Sequence, residues 1–238
     1  MEVYLENSFQ SAFIESKEEH MPNPSIHAFA EKVALVTGVE TPVGRAVAIQ
    51  LALNGAFVTT VSSSPEGRDS IRGLLEIGTL SNHLTADVRS FEGSESVRED
   101  LASRFGRLDL LVQVRIVAQK LEGETEPEAS ATSLGNPLSS MMGLMRERPS
   151  PRIVEIILTE DLSDVTENAF RDSVSRSAAE LGGKFRLNGI ISRETPTSRG
   201  DDALLETRSG TDADDVARIA MFFLSGESKA VNGQVLTA

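Results

Sequence analysis

Lys32–Arg45 reads KVALVTGVETPVGR. Its first part, Val33-Ala34-Leu35-Val36-Thr37, is a short apolar and β-branched run, which predicts a buried strand. Gly38 ends that run. A helical pattern begins at Val43-Gly44, continues through Ala46, Val47, Ile49, Leu51 and Ala52, and stops at Asn54-Gly55. Strand, glycine turn and helix form the first half of a βαβ unit. Such a turn aims free N–H groups and the positive helix end at one spot, which suits a phosphate.

A dinucleotide-binding turn carries three glycines, the middle one letting the backbone approach a pyrophosphate. Here Gly38 and Gly44 hold the outer positions and Pro42 holds the middle one. Proline is bulkier and donates no N–H, although it is tolerated at a first helical position. The turn is therefore expected to form, with a weakened grip on phosphate.

With 238 residues the chain is read as one domain with a sizeable core. A net charge of −13 argues against nucleic acid and against anionic membranes as partners. Cysteine is absent, which excludes disulfides, thiolate catalysis and zinc–thiolate sites and fits a reducing, cytoplasmic setting. No apolar run approaches the ~20 residues that span a bilayer. The start, MEVYLENSFQ, lacks the basic residues and apolar stretch of a signal peptide. His20, His27 and His83 show no metal-ligand spacing, so no metal is expected. Tyr4 is the only tyrosine.

Residues 1–30 are acidic and then turn-like at MPNPS, and are read as an arm, partly disordered or an interaction segment, ahead of a domain over 31–238. Further strands are expected at 56–61, 83–86, 108–114, 152–158, 185–191 and 234–237. Helices are expected at 65–77, 90–105, 133–148, 163–181 and from Asp212 or Asp214 to Phe223. LDLLVQV at 108–114 and RIVEIIL at 152–158 are continuous apolar runs of the kind covered on both faces. Residues 120–131 and 192–210 read as loops. The alternation implies an α/β, Rossmann-like, doubly wound parallel sheet with helices on both faces in a single domain. Glu155, inside an apolar strand, needs a partner such as an arginine, or a route to solvent, because an unpaired buried carboxylate costs several kcal/mol.

Over about 32–238 the order of segments resembles the short-chain dehydrogenase/reductase family. The resemblance is carried by Thr37-Gly38 with Gly44-Arg45, by Asp87-Val88, by LDLLV at 108–112, by Arg152-Ile153-Val154 and by Arg186-Leu187-Asn188. The tail DDVARIAMFFLSGESKAVNGQVL at 214–236 adds to it. The resemblance implies a dinucleotide site with Thr37, Gly38, Val43, Gly44, Arg45, Ser62, Asp87 and Val88 as binding residues. Ser62 stands where the family places the acid that selects NAD. With no carboxylate there, and with Ser62, Ser63 and Arg45 able to receive a 2′-phosphate, NADP is favoured over NAD. Asp87 matches the adenine-contacting aspartate and also reads as a cap for the next segment. The family's Asn-Asn-Ala-Gly stretch corresponds to Gln113-Val114-Arg115-Ile116, every position changed. A phosphate, an acidic partner and solvent all remain open as destinations for Arg115.

The family's chemistry uses a tyrosine as general acid/base, a lysine one helical turn later and a serine. The matching positions fall at Phe170, at Val174 and at Leu158 or Thr159, with the supporting asparagine near Ser133. No catalytic residue is assigned. Thr159, Glu160 and Asp161 follow the fifth strand at the edge where such folds bind ligands. The resemblance also implies a homodimer or homotetramer through helices 133–148 and 163–181. Three functions are weighed: a pseudoenzyme or scaffold, a diverged NADP(H)-dependent oxidoreductase or non-redox lyase or cyclase, and a nucleotide-sensing regulator.

Overall fold

The computed structural model describes residues 28–65, 71, 82–117, 135–159, 163–193 and 213–238. Seven strands form one sheet: β1 (Val33–Thr37), β2 (Phe57–Ser62), β3 (Asn82–Thr85), β4 (Leu110–Ile116), β5 (Arg152–Leu158), β6 (Arg186–Ser192) and β7 (Val235–Thr237). All neighbours are parallel, in the order β3-β2-β1-β4-β5-β6-β7. The described helices are α1 (Pro42–Leu53), α2 (Phe91–Phe105), α3 (Gly135–Arg146), α4 (Asp164–Leu181) and α5 (Ala213–Leu224).

Strand residues alternate between two apolar layers, as the period of two requires. Ala34, Val36, Leu110, Val112, Val154 and Ile156 face α1 and α5. Val33, Leu35, Leu111, Ile153, Ile157 and Leu187 face α2, α3 and α4. Each fully buried aliphatic side chain contributes roughly 1.5–3 kcal/mol against exposure, so both layers are needed to hold the sheet. The doubly wound architecture expected from the alternation of segments is the one observed.

The helix starts follow from small side chains. Thr41, Ser90 and Ser163 each cap α1, α2 and α4 by accepting an N–H three residues on, from Gly44, Gly93 and Thr166. Gly106, with φ of 63°, closes α2. α3 forms over Gly135–Arg146 despite Pro137 and Gly143, ending two residues before the bound expected at 148. β4 runs to Ile116, two residues past the apolar run, because Arg115 and Ile116 continue the ladder against Ile157 and Leu158. Phe29 is a core residue, 2 % exposed, and its N–H bonds the Asn54 carbonyl, so the packed unit reaches past the boundary expected at residue 31. The expected helix at 65–77 and the loops at 120–131 and 194–210 lie outside the described residues, as does nearly all of the N-terminal arm.

The polar residues of the family-like segments tie the amino end of the sheet. Asp109, buried ahead of β4, accepts from Val33 N–H at 3.1 Å and from Arg148 Nε at 2.8 Å, with Lys32 and Arg107 beside it. Arg186 donates to the Ser228 carbonyl and hydroxyl and to the Ser225 carbonyl. Asn188 bonds Val231 and Gln234. The tail motif is thus held by the start of β6.

Gly38 has φ of 75°, and a Cβ built there would lie 2.3 Å from the Val114 carbonyl oxygen. Gly38→Ala therefore combines left-handed strain with a backbone clash. It should lose about 2–4 kcal/mol of stability, read as a lowered urea midpoint with an unchanged m-value.

Candidate functional site

The chain leaves β1 toward β2 on one side and returns to β4 on the other. The carboxyl ends of β1 and β4 therefore flank a topological switch point, where open α/β sheets take ligands. Gly38 and α1 lie at this crevice. The Gly38 carbonyl accepts from the Thr41 N–H at 3.0 Å and from the Thr41 hydroxyl at 2.7 Å. A Cβ on Gly44 would meet that carbonyl oxygen at 2.3 Å. Both outer glycines are thus required by close approach, as expected for this kind of turn.

The helix start is largely closed by its own residues. Pro42 has no N–H, the Gly44 N–H goes to Thr41 Oγ1 at 3.0 Å, and the Arg45 N–H goes to the Thr41 carbonyl at 3.1 Å. The first turn thus spends the Gly44 and Arg45 N–H groups on Thr41.

Arg45 is half-buried and donates to the Glu40 carbonyl at 3.0 Å. Ser62, read as a receiver of 2′-phosphate, is 1 % exposed. Its hydroxyl donates to the Ser64 carbonyl at 2.6 Å and lies 3.2 Å from His83 Nε2. The exposed hydroxyl at this strand end is that of Ser63, and it bonds Glu40 Oε1 at 3.1 Å. A carboxylate thus stands at the end of β2 after all, supplied by the glycine turn rather than by the strand. Sequence spacing gave no signal for Glu40, since its partner is 23 residues away.

Asp87 accepts from the Arg89 side chain at 3.0 Å and from the Arg89 N–H at 3.1 Å, and these bonds hold its carboxyl below the usual range. Its carbonyl accepts from Ser90. The helix cap is Ser90 rather than Asp87, whose carboxylate is already engaged by Arg89. Val88 packs against the apolar layer of α2 to α4.

Phe170 and Val174 are 1 % and 0 % exposed in that same layer, as expected of a packed face. Phe170 lies over the middle of β6, where a Cβ on Gly189 would meet its ring at 2.9 Å. The α4 turn before it carries Glu167, whose carboxyl Arg171 holds below its usual range. Arg171 in turn bonds the Val235 carbonyl and the Thr237 hydroxyl on β7. Thr159 is buried, its N–H on the Ser192 carbonyl. Ser133, Glu160 and Asp161 lie outside the described residues.

Glu155 is fully buried, and Arg115 Nη2 reaches its Oε2 at 3.2 Å. The partner expected for this carboxylate is an arginine, and Arg115 goes to an acid. Burial pushes the Glu155 carboxyl up to about 7, with Arg115 working in the opposite direction. Its other oxygen has no hydrogen-bond partner among the described residues.

No group of three or more His, Asp or Glu residues placed to hold a metal ion occurs among the described residues. No described helix is long and apolar enough to cross a membrane.

Residues 32–133 match the sequence pattern of the short chain dehydrogenase family. The 3-oxoacyl-(acyl-carrier-protein) reductase of Salmonella typhimurium is 25% identical over 236 residues, covering 88% of this chain and 96% of that protein. The Escherichia coli reductase of the same name is 25% identical over 87% of this chain and 96% of its own length. Among solved structures, an Escherichia coli hydroxysteroid dehydrogenase superposes with a TM-score of 0.74 at 20% identity, covering 91% of this chain and 97% of that one. An actinorhodin polyketide ketoreductase with NADPH reaches 0.73 at 21% identity, covering 87% of this chain and 95% of that one.

The Glu155 assignment has a stability consequence. A carboxyl raised from 4.5 unfolded to about 7 folded contributes stability fully present below 4.5 and lost as pH rises through 7. Relative to Glu155→Gln, the protein should lose about 3 kcal/mol between pH 5 and pH 8, measured as the difference in urea unfolding free energy. Equal pH slopes for the two proteins would refute the raised carboxyl.

The sheet order and the glycine turn agree with this likeness: residues 32–133 resemble the short chain dehydrogenase family, and the fold is that of the solved dehydrogenase and ketoreductase structures.

Proposed function

We propose that the chain is a family member that binds a dinucleotide weakly, lacks the conventional dehydrogenase reaction, and works through binding and assembly. The observation that carries this reading is the placement of lysine and tyrosine. Tyr4 is the only tyrosine and lies outside the described residues. Of the five lysines, Lys32, Lys184 and Lys229 are described. Lys32 precedes β1, Lys184 precedes β6, and Lys229 follows Ser228, which bonds the first residue of β6. All three sit on segments at the amino end of the sheet, opposite the crevice.

A bound reduced dinucleotide supplies hydride. Accepting that hydride at a carbonyl calls for a proton donor at the oxygen, and the described crevice residues offer neither phenol nor ammonium. A missing general acid costs about 10²–10⁴ in rate. With NADPH and a 3-oxoacyl thioester or a ketosteroid, the substrate types suggested by the relatives' names, turnover should stay below about 1% of an active relative assayed alongside. Calorimetry should find NADPH bound about 10- to 100-fold more weakly than by that relative, since Pro42 has no N–H and Thr41 takes those of Gly44 and Arg45. Turnover comparable to the relative's would overturn the reading. Assembly as a dimer or tetramer through α3 and α4 belongs to the same proposal.

Cofactor preference rests on opposed charges. Arg45 and the Ser63 hydroxyl suit a 2′-phosphate, whereas the Glu40 carboxylate held by Ser63 repels it. Glu40→Gln should raise NADPH affinity relative to NADH by about three- to tenfold, the worth of one exposed unit charge at close range. An unchanged ratio would remove Glu40 from the ribose site.

A further inference from the structure

Gln113, Glu155 and Gly189 are register partners across β4, β5 and β6. They lie at one level of the apolar layer that Phe170 and Val174 cover. Glu155 is 0% exposed and Gln113 is 3% exposed. Glu155 Oε1 and Gln113 Nε2 both lack hydrogen-bond partners among the described residues. Arg115 is the bond from this buried group to the outside, its side chain 25% exposed at the carboxyl end of β4. The same strand end backs onto the glycine turn, since Val114 is what a side chain on Gly38 would strike.

The two partners are unequal. Arg115 has a route to solvent, and Glu155 has none. If an anion draws Arg115 away, Glu155 is left as an uncompensated buried charge, a state costing several kcal/mol, and protonation relieves it. Among the described residues, the groups around Glu155 leave no substitute for Arg115. From β6 it faces Gly189, from α4 Phe170 and Val174, and from α3 the same layer receives Met141 and Met145, all uncharged. Of the charged residues of α4, Asp164, Asp172, Arg176 and Glu180 are exposed, while Glu167 pairs with Arg171 and Arg193, and Arg171 also bonds Val235 and Thr237.

We propose that Arg115 and Glu155 form a receptor for an oxyanion, phosphoryl or carboxylate, at the carboxyl edge of β4, in which Arg115 releases Glu155 to bind the anion and Glu155 takes up a proton from solvent. The proposal rests on the crevice being a ligand site, but not on the ligand being a dinucleotide. Its signature is proton-linked binding. Above neutral pH, where Glu155 starts ionised, each anion bound brings a proton with it. Below neutral pH the carboxyl is already neutral and no uptake occurs. The raised range of the Glu155 carboxyl agrees with this window.

The test is calorimetry on the full chain with NADPH, inorganic pyrophosphate and acetate, at pH 6 and pH 8, each in two buffers of different ionisation enthalpy. At least one probe should bind at pH 8 with uptake approaching one proton, and at pH 6 with almost none. Its affinity should fall about tenfold per pH unit above neutrality. Arg115→Gln should weaken binding at least tenfold, and Glu155→Gln should keep binding but lose its pH dependence. Should either variant fail to fold, infrared difference spectra of the unaltered protein at pH 8 should show a protonated-carboxyl band growing as the probe saturates. Pyrophosphate binding without acetate identifies a phosphoryl receptor, and binding of both identifies a general oxyanion receptor. Either outcome supports the proposal. Binding of none of the probes, binding indifferent to Arg115→Gln, or saturation with neither proton uptake nor the band would overturn it. NADPH binding that ignores Arg115→Gln would overturn this proposal and leave the dinucleotide reading standing. Proton-linked pyrophosphate binding without NADPH binding would do the reverse.

Discussion

The close approach of Gly38 to Val114 is the constraint on which the site depends. At the end of β1 the backbone passes so near β4 that a Cβ would sit 2.3 Å from the Val114 carbonyl oxygen. The chain there must also take φ of 75°, a conformation that costs other residues strain. Once Gly38 has turned, its carbonyl is fixed by the N–H and hydroxyl of Thr41, and Thr41 becomes the cap of α1. Gly44 then packs on the same carbonyl, which sets how closely α1 lies against the turn. From this one contact follow the start of the helix, the adjacency of β1 and β4, and the crevice between them.

The sheet's two ends use charge differently. At the amino end, charge is structural. Asp109 collects Arg148, Arg107, Lys32 and the Val33 N–H, and joins the starts of β1 and β4 to the turn before β5. Arg152 and Arg186, side by side in the ladder, donate to carbonyls at the end of α5 and in the segment after it. Burial lowers Arg186 to about 10, which leaves it charged at neutral pH and bound to acceptors rather than to an acid. At the carboxyl end three arginines, Arg45, Arg89 and Arg115, are held by the Glu40 carbonyl, by Asp87 and by Glu155.

Much of the fold was legible because it depends on local pattern. The apolar runs at β1, β4 and β5, the helix starts near residues 90 and 163 and the glycine turn all express period, propensity or backbone freedom, which a single sequence carries. The need of Glu155 for a partner was legible too, because the cost of a buried carboxylate is general. Which arginine answers it was not, since Arg115 lies 40 residues away and its choice follows from strand register. Ser62 misled for a related reason. Its position at the end of β2 is as expected, but strand alternation turns its hydroxyl inward to Ser64 and His83. Glu40 was missed because a loop side chain crosses to another strand, a contact that no periodicity encodes.

The crevice is ligated by its own chain. Thr41 takes the Gly44 N–H, Pro42 supplies none, Glu40 holds Arg45 through its carbonyl, Asp87 holds Arg89, and Glu155 holds Arg115. An incoming anion must therefore displace a bond rather than fill a vacancy, and only the difference between the two appears as affinity. The three arginines differ in what their release leaves behind. Asp87 is solvated, so losing Arg89 costs little, and the Glu40 carbonyl is neutral. Glu155 alone is stranded in an apolar layer when its arginine leaves. That asymmetry makes Arg115 the contact through which binding is most strongly tied to protonation. In the proposed receptor the selective element lies not at the helix end but on a side chain whose partner must change charge before it is free.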